Sequence, residues 1–230
     1  MPLLPGPPPL EITLRRSARA RRFSLRVSRL DGRVTLTLPP RAREAEAMAF
    51  ARGHEGWLRE TLETMAPGEP VGLGTVLPVE GRPVRVAPGA ARGVRLEGDR
   101  LAVPGEPGQA GARVRAFLRA LARDRLARAS DRHAATLGLR PAAMTLRDTR
   151  SRWGSCTADG RLMYSWRLAM APAPVLDYVA AHEVAHLAEM NHAPAFWAVV
   201  ARLCPGYAPH RAWLRENGPA LHAFRFDGPG

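Results

Sequence analysis

The chain of 230 residues predicts an α+β protein, with a strand-rich first half and a second half organised around helices. Three observations point there. Short runs of Val, Leu and Thr, separated by Gly and Pro turns, fill residues 10–105. From residue 110 onward apolar residues recur at helical spacing. Within that second half, His182-Glu183-Val184-Ala185-His186 lies in an apolar run of Val175, Leu176, Val179, Ala180, Val184 and Leu187, which reads as a buried helix.

The elements follow in order. Residues 1–9 (Met1-Pro2-Leu3-Leu4-Pro5-Gly6-Pro7-Pro8-Pro9) lack a basic region followed by an apolar one and read as a disordered leader, not a signal peptide. Residues 10–15, 23–28 and 33–38 read as strands, and Asp31-Gly32 is a hairpin signal between the last two. Residues 41–64 read as one helix with Met48, Phe50, Trp57, Leu58 and Leu62 apolar, ended by Pro67-Gly68; His54 inside it has no partner signature. Short strands follow at 75–79, 83–87, 93–96 and 100–103. Residues 104–108 form the best linker, so a strand-rich region with one helix is expected over 10–105 and a separate domain over 106–230. That domain opens on a helix at 110–137, whose stripe is Val114, Phe117, Leu118 and Leu121. Strands at 143–148 and 161–166 flank a turn, and helices at 173–190, 196–203 and 208–223 complete it. No internal repeat is visible.

The H-E-x-x-H spacing places His182 and His186 one turn apart on a single helical face, where their ring nitrogens can converge on one ion. Zinc suits neutral imidazoles, and a catalytic zinc keeps one position open for water. Glu183, beside the first ligand, can take a proton from that water as general base. His192, six residues past His186, is the favoured third ligand; Glu189 and His210 compete for that position. It falls where the chain should turn back, since Asn191 tolerates a left-handed turn and Pro194 can open the next helix. The ten-residue spacing from His182 to His192 matches H-E-x-x-H-x-x-G-x-x-H, but Glu189 stands at the glycine position.

Composition narrows the function classes. No stretch of 18 apolar residues exists, so no membrane span or membrane partner is expected. Cys156 and Cys204 make no disulfide framework, and two reduced thiols fit a cytoplasmic protein. The net charge is +13, and all 34 basic residues are Arg. Two clusters stand out: Arg15, Arg16, Arg19, Arg21, Arg22, Arg26 and Arg29, then Arg113, Arg115, Arg119, Arg123, Arg125, Arg128 and Arg132. The second reads as the solvated face of its helix. Neither is accompanied by aromatic interleaving or a helix-turn-helix, so weak, non-specific nucleic-acid binding is the most they imply.

Ser151-Arg152-Trp153-Gly154-Ser155-Cys156, Leu176-Asp177-Tyr178-Val179 entering the H-E-x-x-H helix, Asn191-His192 and Phe196-Trp197 together resemble the YgjP-like metallopeptidase family, related to the SprT-like and WLM zincins. The strong likeness spans about residues 145–215. It implies a small zincin-like α/β catalytic module, Zn²⁺ held by His182, His186 and His192, Glu183 as catalytic residue, and a hydrolase of peptidase type. One departure is Ser165, in Tyr164-Ser165-Trp166, where members often carry Asn. Zincins commonly present an edge strand to an extended peptide, and 161–166 is the candidate here. Arg152 is a second catalytic candidate, able to stabilise an oxyanion or bind carboxylate or phosphate, with a structural role in the turn as the alternative. Trp153, Trp166 and Trp197 read as core or pocket wall.

The expected protein is therefore a zinc-dependent metallopeptidase acting on peptide or protein substrates. One alternative keeps the same metal and base but attacks a nucleoside triphosphate as a pyrophosphohydrolase. Another is an Arg-rich nucleic-acid-binding module with structural zinc.

Overall fold

Strict alternation of apolar and polar residues in the first strands sorts their side chains onto two faces, and this organises the first of two units. The computed structural model describes residues 2–28, 32–63 and 69–226, and its two units are Met1–Pro67 and Gly68–Gly230. In the first, β1 (Leu3–Leu4), β2 (Leu10–Arg16), β3 (Ser24–Val27) and β4 (Val34–Leu38) form one sheet in the order β1-β2-β4-β3. Ile12, Val34, Leu36 and Leu38 are buried against Ala47, Ala51 and Leu58 of α1 (Glu44–Gly53) and α2 (Glu55–Glu63).

Two expectations change here. The helix expected over 41–64 is broken at His54, which leaves helical geometry with φ −116° directly after Gly53, a poor helix former. The expected disordered leader is instead tied down. Leu4 is fully buried, Ile12 N–H donates to the Pro2 carbonyl at 3.0 Å, and the Arg59 guanidinium donates to the carbonyls of Pro5 and Pro8. Leu3-Leu4 is apolar enough to extend the sheet, which the surrounding prolines disguise. The β3–β4 hairpin forms as expected, with Gly32 at φ +68° and Ser28 N–H on the Arg33 carbonyl. Asp31 of that turn, and the Pro67-Gly68 helix stop, lie outside the described residues.

The second unit begins with β5 (Glu69–Pro70), then β6 (Val76–Val79), β7 (Arg82–Pro88), β8 (Arg95–Glu97) and β9 (Arg100–Val103), of which the last four form a sheet ordered β6-β7-β9-β8. Its pairings run antiparallel, parallel, antiparallel, the scheme of the first sheet as well. A repeat of topology thus exists where none was visible in the residues. Val79, Val84, Val86, Leu101 and Val103 share one core with Val114, Leu118 and Leu126 of α3 (Ala110–Leu137). That shared core is why no boundary falls at 105/106: residues 104–109 are a short turn from sheet to helix, and the division lies at 67/68.

Beyond α3 come β10 (Ala143–Arg147), β11 (Gly154–Cys156) and β12 (Arg161–Ser165), in the order β10-β12-β11. The strand expected at the edge, 161–166, is therefore central, because Leu162 and Tyr164 are buried in the core; β11 is an edge instead. A buried 3-10 stretch, Trp166–Met170, leads into α4 (Ala173–Ala185), followed by α5 (Pro194–Leu203), α6 (Ala208–Leu221) and β13 (Phe224–Arg225). No described helix is long and apolar enough to cross a membrane.

Polar ties set the position of α4 and of the 3-10 stretch that leads into it. Glu80 and Gly81 form the β6–β7 turn with φ of 49° and 81°, and their N–H groups donate to the carbonyls of Ala169 and Met170 at 2.8 and 3.1 Å. Arg125 donates to the Glu80 carboxylate at 2.6 Å. A Cβ on Gly81 would sit 2.9 Å from Pro172 Cα, so only glycine lets the turn seat there. From α3, Arg132 and His133 both reach Asp177 of α4. Buried Arg167 forks onto Asp148 at 2.7 and 3.2 Å and donates to the carbonyls of Leu221 and Phe224.

Candidate metal centre

Pro172, just before α4, and Pro174, in its first turn, fit a helix start where N–H donors are unused, and the apolar length of α4 buries it. The helix ends at Ala185, five residues short of the expected 190, with His186 as its still-helical cap (φ −66°, ψ −16°). Leu187, Ala188 and Glu189 then turn on the carbonyls of Val184 and Ala185. His192 is brought back by a side-chain turn: Asn191 Oδ1 accepts from Ala193 N–H at 2.9 Å, and Pro194 opens α5. Asn191 is not left-handed as expected, since Glu80 is the sole non-glycine with positive φ among the described residues.

These turns gather His182, His186 and His192, each offering a donor within 4.8 Å of the others. Nε2 of His182 and Nε2 of His192 are 3.2 Å apart. Two nitrogens on one tetrahedral zinc, each about 2.0–2.1 Å from it, stand about 3.3 Å apart, so the pair already has the spacing such an ion demands. His186 Nδ1–H donates to the Glu189 carbonyl at 3.0 Å, which leaves its Nε2 lone pair free for the cluster. His182 Nδ1 is buried without a hydrogen-bond partner among the described residues. Burial, followed by the neighbouring histidines, lowers His182 to about 4, and burial lowers His186 too. Neutral imidazoles are what a metal requires. His192 is exposed, so the cluster opens to solvent on that side. Neither Glu189 nor His210 joins the group; His210 lies close enough to Asp177 to act on its charge.

Phe196 is the floor. It is fully buried, with its ring 4.9, 4.4 and 4.7 Å from those of His182, His186 and His192. Trp197 stands 5.8 Å from His182 and 6.0 Å from His192, with Arg211 stacked over it at 4.7 Å.

Glu183 is 6% exposed, and burial raises its carboxyl to about 8 against the opposing charge of Arg152. Its seat is Gly154 on edge strand β11: a Cβ there would come 2.5 Å from Glu183 Oε1 and Cγ. Arg152 is exposed and has no carboxylate partner in hydrogen-bond reach among the described residues, while its carbonyl accepts from Thr149. Cys156 is a thiol raised to about 11, by burial first and by Glu183 next, and stays outside the histidine cluster. Ser165, where the resemblance leads one to look for Asn, is buried with no hydroxyl partner among the described residues, and its N–H donates to the Trp153 carbonyl. Trp153 packs on His222 at 4.9 Å and Trp166 on Phe226 at 5.1 Å, as core. Sequence reasoning missed the roles of Phe196 and Gly154. The signals were present: an aromatic four residues after His192, and a glycine inside the Arg-Trp-Gly-Ser-Cys run.

A family model described as YgjP-like, metallopeptidase domain, matches residues 21–217. No curated protein matches the chain. Among solved structures, the crystal structure of the metallopeptidase zymogen of Pyrococcus abyssi abylysin is similar over 42% of this chain and 92% of that one. At 21% identity and a TM-score of 0.34, that likeness carries no argument about mechanism.

Proposed function

The chain belongs to the YgjP-like metallopeptidase family, and we propose that it is a zinc-dependent peptidase in which His182, His186 and His192 hold the ion and Glu183 is the general base. The observation that carries this reading is the convergence of three imidazoles within 4.8 Å, beside the buried Glu183 carboxyl of α4. Three histidines with no fourth protein donor among the described residues suit an open, catalytic site better than a closed structural one. Bound there, zinc would acidify a water and polarise the scissile carbonyl.

The protein's own groups supply the rest. In its ionised form, which a neighbouring metal cation would favour, Glu183 accepts the water proton on a carboxylate oxygen and returns it to the departing amine. Gly154 leaves the room this carboxylate occupies. Edge strand β11 has no strand partner on one side among the described residues, and an extended peptide can add there as a further strand. Arg152 supplies positive charge beside Glu183, suited to an oxyanion or a substrate carboxylate. That same guanidinium, without a carboxylate partner in hydrogen-bond reach among the described residues, favours phosphoanhydride substrates, a second reading.

Purified protein should carry close to one zinc per chain, and His182→Ala or His186→Ala should lose it. Glu183→Gln should keep the zinc yet lower peptide turnover roughly hundredfold to ten-thousandfold. Undiminished turnover by Glu183→Gln refutes the proposed base. Turnover of nucleoside triphosphates but not of peptides transfers the site to the second reading.

A further inference from the structure

The two arginine clusters part company in the structure. On α3, Arg125 pairs with Glu80, Arg125 and Arg128 with Asp124, Arg132 with Asp177, and Arg113 donates to Gln109. Much of that positive charge is already answered. In the first cluster, Arg16 is similarly engaged, on Glu44 and on the carbonyls of Pro40 and Ala42. Arg15, Arg19, Arg21, Arg22 and Arg26 are all exposed, and among the described residues none has a carboxylate partner.

Strand register decides where these groups stand. The apolar side chains of β2, β4 and β3 face the two helices, so the alternate residues occupy the opposite face. One row across it reads Thr13, Thr35, Arg26, and the next Arg15, Thr37, Ser24. Ser17–Ala20, closed by Ala20 N–H on the Ser17 carbonyl, opens the β2–β3 connection that carries Arg19, Arg21 and Arg22 at the Arg15 end. The face is an array of hydroxyls and guanidiniums. Its one carboxylate among the described residues is Glu11, at the other end of β2, and its one aliphatic is Leu3 on the edge strand.

We propose that this face of the first sheet, with the β2–β3 connection, is a binding surface for the phosphate backbone of duplex nucleic acid. Arginine, serine and threonine are the side chains that hydrogen-bond phosphate oxygens, and such contacts position a protein without reading sequence. A single strand would call for aromatic platforms on which bases stack, and the face offers none. A membrane surface would call for apolar side chains to insert, and Leu3 stands alone. The surface is independent of the metal centre, and its test needs no turnover.

The experiment is fluorescence anisotropy of the full chain with a labelled 20-base-pair duplex at 50 and 200 mM salt. Five phosphate contacts give a log–log salt slope of about −4.5, which is an affinity loss of about 500-fold across that range. Arg15→Ala with Arg26→Ala should leave about three contacts, cutting the loss to about 40-fold and weakening binding at least tenfold at 50 mM on the order expected for two lost contacts. Arg119→Ala with Arg123→Ala removes the same charge from exposed positions on α3 and should change affinity little; circular dichroism confirms that both doubles fold. Equal weakening by the two doubles would mean attraction by net charge alone and overturns the surface. So does absence of binding at 50 mM, tighter binding of the corresponding single strand, or phosphatidylserine vesicles bound as tightly through Arg15 and Arg26.

Discussion

Replacing Glu183 by Gln should stabilise the metal-free protein, and the gain should depend on pH in a way that only a buried carboxyl produces. In the folded chain Glu183 holds its proton up to about 8, whereas an ordinary glutamate releases it near 4.5. Below 4.5 both folded and unfolded states are protonated, and the group costs nothing. Between 4.5 and 8 the unfolded chain ionises while the folded one does not, so stability falls as pH rises through this window. Above 8 the folded state carries a buried carboxylate and the penalty levels off. The difference between the two values corresponds to roughly 5 kcal/mol at its limit; solvent entry and local relaxation make half of that a reasonable yield. The side-chain amide of the Glu183→Gln variant has no such titration. Urea denaturation of both proteins in the presence of a chelator, at intervals from pH 4 to 9, gives the difference in unfolding free energy directly. It should be small at pH 4, grow through pH 6–7, and plateau near pH 8.5. A difference that stays flat across this range would show that Glu183 is solvated in solution and refute the buried-carboxyl reasoning.

Gly154→Ala should retain zinc but lose turnover on the order of a hundredfold, because a Cβ 2.5 Å from the Glu183 carboxyl must displace it; metal content and kinetics on one preparation check both halves. Phe196→Ala should destabilise by about 3–5 kcal/mol, the range for emptying a buried aromatic site, and should also weaken zinc retention, since all three imidazoles rest on that ring. Calorimetry with and without chelator separates the two effects. A variant that melts like the parent and keeps its metal would remove Phe196 from the floor of the site.

The most legible part of the site was local. His182, Glu183 and His186 are spaced by the helical repeat itself, and His192 is only six residues away, so chain geometry leaves little freedom. The longer strands were legible for the same reason, from period-two alternation, whereas β1, β5, β11 and β13 are too short to show it. Strand order was not legible. Nothing in Arg161–Ser165 says that it lies between β10 and β11, because that depends on pairings with residues up to 18 positions away. The twice-used sheet topology was equally hidden, since pairing schemes are carried by backbone and can recur without matching side chains. Gly154 and Phe196 matter through what they touch. The break at His54 was local, but one glycine in an apolar-periodic run is a weak sign against the helix around it.

The Glu80–Gly81 turn has a consequence for the order in which the second unit can be assembled on the ribosome. Its two N–H groups find their acceptors at Ala169 and Met170, so 169 − 80 = 89 residues of chain separate donor from carbonyl in the first of these bonds. Until those residues have left the exit tunnel, the hairpin must leave both groups to water. The segment that carries His182 is synthesised only afterwards. It therefore emerges toward a docking surface already translated, with the long loop closure already met, and its own turn back to His192 spans ten residues.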